Sequence, residues 1–185
     1  MENSRKTEAL IKKLNKIYKN GYVPSRESVN YILHTLTVNC FGHACFNLAD
    51  EDLEKLAPYT SELKSFFQRF DAYGAKDYIK VASEKLNQVG LKMQKSSISD
   101  SIQKNQWKVA CYMMCEEQFG GGFRTDMHFI IQGKDGKWYS KMGKNSSVDV
   151  FDKLPKSISK SYTLQGVYKI TNPYVKLDSE ENMDM

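Results

Sequence analysis

Two residues 88 positions apart have the types that nucleophilic acyl chemistry requires. Cys40 lies in Val38-Asn39-Cys40-Phe41-Gly42-His43-Ala44-Cys45-Phe46-Asn47-Leu48, which reads as the start of a buried helix with the thiol in its first turn. A helix N-terminus presents free N–H groups and a partial positive charge, so a thiol placed there is drawn toward thiolate. His128 lies in Asp126-Met127-His128-Phe129-Ile130-Ile131, a strand-like stretch entered through Gly120-Gly121-Gly122. An imidazole within hydrogen-bond reach could take the thiol proton, and the thiolate would then attack a carbonyl carbon. The N–H of Cys40, with Asn39 as a polar neighbour, would receive the developing oxyanion, and water would release the acyl group. The same residues also admit a purely structural reading, since free cysteines are commonly small core residues.

A zinc centre is the second chemistry these residue types suggest. Cys40, His43 and Cys45 are zinc-type ligands close in sequence, and His128 or Cys111 could complete four. On a helix, however, positions 40 and 43 share a face while 45 lies well round from them. The pairs Cys40/Cys45 and Cys111/Cys115 also lack C-x-x-C spacing. The reading therefore assigns no metal ligands. Gly120–Gly122 lacks the Gly-x-x-x-x-Gly-Lys-Ser/Thr pattern of a phosphate loop, and no cofactor is expected.

Helical periodicity dominates the first half of the chain. Over residues 4–19, Leu10, Leu14, Ile17 and Tyr18 share one face, and Arg5, Lys12, Lys16 and Lys19 form a basic stripe on another. Pro24-Ser25 opens a second helix, with Ser25 as N-cap and Val29, Ile32, Leu33 and Leu36 buried. After the Cys40 helix, Asp50 is expected to cap a helix through Leu53 and Leu56 that Pro58 ends. Two further helices are predicted over Ser61–Phe70 and Ala75–Val89. Beyond Gly90 the pattern turns to strands: Leu91–Lys95, then an alternating run from Trp107 to Cys115, then the His128 strand. Cys111 and Cys115 fall on one side of their strand and are expected in the core. Gly133-Lys134-Asp135-Gly136 is hairpin chemistry leading to Lys137–Met142, and Ser161–Ile170 is a last strand. Helices followed by an antiparallel meander predict an α+β fold: one domain over 1–175, helical over about 4–90 and sheet over about 91–170. Residues 176–185 are expected to be an acidic, disordered tail.

Composition excludes some classes and leaves others open. No apolar run approaches a membrane span of ~20 residues, and the N-terminal stretch carries a helical pattern instead of an apolar signal core. A cytoplasmic protein with reduced cysteines and no membrane contact is expected. The 185 residues hold 27 basic and 22 acidic side chains, net +5. The last eight residues contain four acids and no Lys or Arg, so the rest of the chain stands at +9. Such a body could meet nucleic acid or an acidic protein surface, with Lys12, Lys16 and Lys19 as contacts, although Lys-rich surfaces also serve solubility alone.

A resemblance adds to this reading. Asn39-Cys40-Phe41-Gly42-His43-Ala44 resembles the Asn-Cys-Tyr-x-Tyr-Ala segment of a little-characterised group of papain-like proteins. Asp126-Met127-His128-Phe129, with Asp135-Gly136-Lys137-Trp138 and Lys141-x-Gly143, is similar to that group's Asp-Tyr-His-Phe-Tyr and Asp-Gly-x-Trp-x-His-Lys-x-Gly block. The Tyr162–Tyr168 segment, with Gly166 before Val167-Tyr168, is similar to its final strand. The resemblance covers the Cys segment and residues 107–170, and implies a papain-like fold with Cys40 and His128 as the catalytic pair. Where the group has a histidine, this chain has Ser140. An orienting third residue sits on the strand after the base, so Ser140 occupies that place, with Asn145 and Asp149 as substitutes. A serine hydroxyl stabilises an imidazolium less than a carboxylate would.

Two function classes follow. One is a thiol hydrolase acting on a peptide, amide or related acyl bond, with a peptide or protein as substrate. The other is a catalytically degenerate binding protein on the same scaffold. Small Lys-rich chains with degenerate enzyme folds are used by mobile elements to block host factors, anti-CRISPR proteins among them, and this second class rests on that analogy.

Overall fold

The computed structural model describes residues 2–24, 38–68, 74–143 and 147–177. It is α+β, with the helices first in the chain and an antiparallel sheet after them. Helix α1 (Glu2–Lys19) buries Leu10, Leu14 and Tyr18 completely and leaves Arg5, Lys12, Lys16 and Lys19 in solvent, as its periodicity predicts. Lys16 and Lys19 lie in its last turn, where cations oppose the negative end of the helix dipole. The helix expected from Ser25 through Leu36 lies outside the described residues, as do Phe70 and residues 178–185.

A short π-helical segment, α2 (Gly42–Phe46), follows Cys40 and Phe41 directly. Helices α3 (Asp50–Lys55), α4 (Thr60–Phe66) and α5 (Ala75–Gln88) complete the helical part, with a 3-10 turn at Ala57–Tyr59. Asp50 is not the N-cap of α3: Ala49 takes that position without a side-chain hydrogen bond, and the acids Asp50, Glu51 and Asp52 crowd the first turn instead. That arrangement suits the positive end of the helix dipole without the geometry of a cap.

The strands are β1 (Lys92–Ser96), β2 (Gln106–Glu117), β3 (Phe123–Gln132), β4 (Trp138–Lys141), β5 (Val148–Phe151), β6 (Ser157–Ile158) and β7 (Tyr162–Thr171). Their order is β1-β7-β2-β3-β4-β5, with β6 against β7, so the expected plain meander is corrected: the last strand enters between the first two. The reason lies in β2. Trp107, Val109 and Cys111 pack under the helices, while Ala110 and Tyr112 join Ile130, Trp138, Ile158 and Val167 in a second core on the far face. A strand buried on both faces needs full partners on both edges, and β3 and β7 supply them. The far face is covered by the segment between β5 and β7, and Tyr112 donates its hydroxyl proton to the Pro155 carbonyl at 2.7 Å. Strands β5 and β6 escape the sequence pattern because they are short and largely exposed.

Cys115 is also corrected. It is exposed near the end of β2 and is not a core residue like Cys111. The end of α1 is fastened to both other layers. Tyr18 donates to the Phe46 carbonyl at 2.9 Å, and Asn172, just past β7, donates to the carbonyls of Tyr18 and Tyr22 at 2.9 and 2.6 Å. Among the described residues no helix is long and apolar enough to cross a membrane.

Candidate active site

The Cys40 segment is held in place mainly by aromatic packing. Phe41 stacks edge-on to Phe46 with centroids at 5.2 Å and reaches Phe129 of β3 at 5.6 Å, while Phe46 meets Phe67 at 5.0 Å. Gly42 follows because nothing larger fits: an added Cβ would lie 2.5 Å from Val38 Cγ1 and 3.0 Å from the Phe67 ring. Asn39 caps the turn, its Oδ1 accepting the Gly42 N–H at 3.1 Å while its Nδ2 donates to the Phe67 carbonyl. The first turn is α-helical, His43 N–H to Asn39 carbonyl at 2.8 Å. The turn then widens to a π-type bond, Asn47 N–H to Gly42 carbonyl at 2.9 Å, and stops at Asn47 with φ 32°.

This packing presses Cys40 against the edge of β3. Strand β4 pairs with β3 only at Ile130, Ile131 and Gln132. On the continuation of β3, the Cys40 sulfur meets the backbone instead: its S–H donates to the Met127 carbonyl at 3.8 Å, and the Phe129 N–H points to the sulfur. The thiol thus takes up the two groups that flank His128.

His128 pairs with Tyr112 across β2–β3 and is buried on the far face of the sheet. Its Nε2 shares a hydrogen bond of 2.9 Å with Ser140 Oγ, and its ring meets Tyr162 edge-on at 5.9 Å. Tyr162 in turn donates to Asp126 Oδ2 at 3.0 Å, and Asp126 Oδ1 accepts the Met127 N–H at 2.9 Å. When Nε2 carries the imidazole proton, Ser140 accepts it and the lone pair stands on Nδ1.

Cys40 and His128 line one cavity of about 210 Å³ together with Asn39, Asp126 and Tyr162, and with apolar walls from Phe41, Met127, Phe129 and Met142. Tyr78 of α5, whose hydroxyl donates to the Thr125 carbonyl at 3.4 Å, closes one side. Of the residues the sequence singles out, Asn39, Cys40 and His128 therefore line one cavity, and Ser140 is bonded to the imidazole. Asp149 stands opposite Ser140 across β4–β5 but is exposed, and Asn145 lies outside the described residues. Lys12, Lys16 and Lys19 are on α1, apart from this cavity. His43 and Cys45 are packed in the core, and among the described residues no three His, Cys, Asp or Glu side chains converge as metal ligands.

The electrostatics correct one expectation. Burial pushes the Cys40 thiol up to about 11, with the Asp126 carboxylate adding to the effect; the N–H groups of Phe129 and Phe41 and the Lys141 ammonium oppose it. Burial likewise lowers His128 to about 4, against a partial restoring effect of Asp126. The resting pair is therefore a neutral thiol and a neutral imidazole. The helix start does not bring the thiol to thiolate, because desolvation outweighs the few N–H groups that so short a helix aims at it.

Sequence reasoning passed over Lys141, Asp126 and Tyr162 as parts of this site. Lys141 is fully buried, and its Nζ donates to the Val38 carbonyl at 2.9 Å and to the Gly143 carbonyl. Its signal was present in the Lys141-x-Gly143 segment, but a lysine in a polar hairpin reads as solvated until the fold buries it. No family model matches the chain, and neither a curated protein nor a solved structure matches it.

Proposed function

We propose that the protein is a papain-like thiol hydrolase acting on a peptide, amide or related acyl bond through Cys40 and His128. The observation that carries this reading is the 2.9 Å bond between His128 Nε2 and Ser140 Oγ, made by neighbouring strands beside the cavity that Cys40 lines. A base oriented from the following strand, with a thiol at a helix start beside it, is the division of labour that thiol acyl transfer needs.

The chemistry then runs through these groups. On substrate entry the Cys40 S–H leaves the Met127 carbonyl and gives its proton to His128 Nδ1. The thiolate forms a bond to the carbonyl carbon, and the oxyanion is received by the N–H of Cys40 with the Asn39 amide beside it. Collapse breaks the bond to the leaving amine or alcohol, which takes the imidazole's proton, and leaves a thioester on Cys40. Water, deprotonated by His128, hydrolyses that thioester and restores the thiol. The apolar walls and the small volume suit an acyl group of a few carbons or one peptide side chain.

The neutral pair favours a second reading, a binding protein that keeps the scaffold without turnover. With burial holding the thiol up at about 11 and the imidazole down at about 4, proton transfer in the empty cavity is uphill. A substrate or a neighbouring charge must offset that burial for turnover to occur. In the binding reading the exposed lysines of α1 carry the contact, and a protein or nucleic-acid partner would bind with strong salt dependence.

Exposure to p-nitrophenyl acetate separates the two. The hydrolase reading expects an acetyl adduct on the Cys40 peptide by mass spectrometry, none in Cys40→Ala, and acylation slowed by roughly 10²–10⁴-fold in His128→Ala. Replacing Lys12, Lys16 and Lys19 by Glu should leave acylation unchanged. Equal nitrophenol release by the parent protein and Cys40→Ala, with no adduct on Cys40, would reject the hydrolase.

A further inference from the structure

Strand β4 places consecutive side chains on opposite faces of the sheet. Ser140 reaches the His128 imidazole, and Lys141 reaches the other partner's chain segment, bonding the Val38 carbonyl two residues before Cys40 and the Gly143 carbonyl at its own turn. One short strand therefore grips both halves of the candidate pair.

Lys141 is more than a staple. Carbonyl oxygens solvate a buried ammonium but bring no net charge to it, and burial lowers Lys141 to about 8. The group that acts in the opposite direction, favouring the ammonium once it is a thiolate, is Cys40. Seen from the thiol, the surroundings are Asp126 on β3, Tyr162 on β7, Cys111 on β2, Cys45 on α2, His128 and Lys141. Asp126 disfavours the thiolate, the tyrosine and the two other thiols are neutral and held so by burial, and His128 is neutral above about 4. Among the described residues, Lys141 is the cation whose charge favours the thiolate.

We infer that Lys141 is a positioning residue for Cys40, holding the Val38–Cys40 segment on β4 and supplying a fixed counter-charge to the thiolate in addition to the imidazolium that forms on His128. The inference rests on Cys40 being the nucleophile. The thiol proton still goes to His128; the ammonium of Lys141 keeps its own protons throughout and lowers the cost of separating charge beside it. A lysine fits this role because its ammonium is a compact point charge that satisfies two carbonyls, one of them two residues before Cys40.

The test is the pH dependence of Cys40 alkylation by iodoacetamide, followed on the Cys40 peptide from pH 6 to 10, in the parent protein, Lys141→Met and Lys141→Arg. A counter-charge favouring the thiolate is expected to make Cys40 roughly ten-fold more reactive in the parent than in Lys141→Met below pH 8. The ratio should shrink toward one as Lys141 loses its proton above about 8, and Lys141→Arg should restore much of the reactivity without that decline. A ratio that is the same at every pH, or equal to one throughout, overturns the inference and leaves the nucleophile reading standing. Absence of label on Cys40 at every pH, while exposed Cys115 is labelled, overturns both. Should Lys141→Met fail to fold, Lys141→Arg carries the test by itself: its Cys40 reactivity relative to the parent should climb as the parent's Lys141 loses its proton above about 8, and a ratio that does not change with pH overturns the inference.

Discussion

His128 makes the fold acid-sensitive by an amount that can be worked out. In the unfolded chain an imidazole takes a proton near 6.5, but burial against Tyr112, Tyr162 and Ser140 delays this to about 4 in the folded protein. Between those two values the unfolded state binds more protons, so stability falls as acid is added. All of the contribution is present above about 6.5 and is lost progressively as pH drops to about 4. A displacement of some 2.5 units corresponds to about 3 kcal/mol, which is a large share of the 5–15 kcal/mol typical of a domain. The perturbation is His128→Gln, which keeps a polar side chain able to meet Ser140 but does not titrate. Urea unfolding of the two proteins at half-unit steps from pH 4 to 8 gives the difference in stability at each pH. That difference should be flat above pH 7 and move by about 3 kcal/mol in favour of the variant on going to pH 4. Parallel curves would refute the reasoning, as would a native-state NMR titration placing His128 near 6.5.

Two further outcomes test the packing that delivers Cys40 to β3. Gly42→Ala drives a methyl into Val38 and the Phe67 ring, and should cost about 1–3 kcal/mol by chemical denaturation; an equally stable variant would mean that the Cys40 segment is free to shift. Asn172→Ala removes two donors to the Tyr18 and Tyr22 carbonyls and the acceptor of the Tyr174 N–H, and should cost on the order of 2–4 kcal/mol. Its hydrogen exchange should rise first at the end of α1, and a uniform rise across the chain would contradict the idea that Asn172 fastens that end.

The local signals were strong where one physical rule decides the outcome. The apolar stripe of α1, Leu10, Leu14 and Tyr18, can be satisfied only by a buried helix face, and the alternation of Trp107, Val109 and Cys111 only by a strand. The hairpin glycines fixed the step from β3 to β4, and that step sets Ser140 diagonally across from His128. Cys40, His128 and Ser140 were thus legible as types at the ends of readable elements.

What the sequence could not carry is everything that depends on which elements become neighbours. The entry of β7 between β1 and β2 follows from the need of a strand buried on both faces for two long partners, a demand visible only once both cores exist. The same holds for charge. A thiol at a helix start reads as a thiolate until desolvation is counted, and Lys141 reads as a surface lysine until β4 is laid over Val38. Residue type and local period determined α1, α5, the long strands and the choice of candidate residues, because those depend on contacts a few residues apart. Protonation of that pair, and the cation beside it, was decided by the tertiary structure alone, because the free energy of a charge depends on how much water and which distant groups surround it.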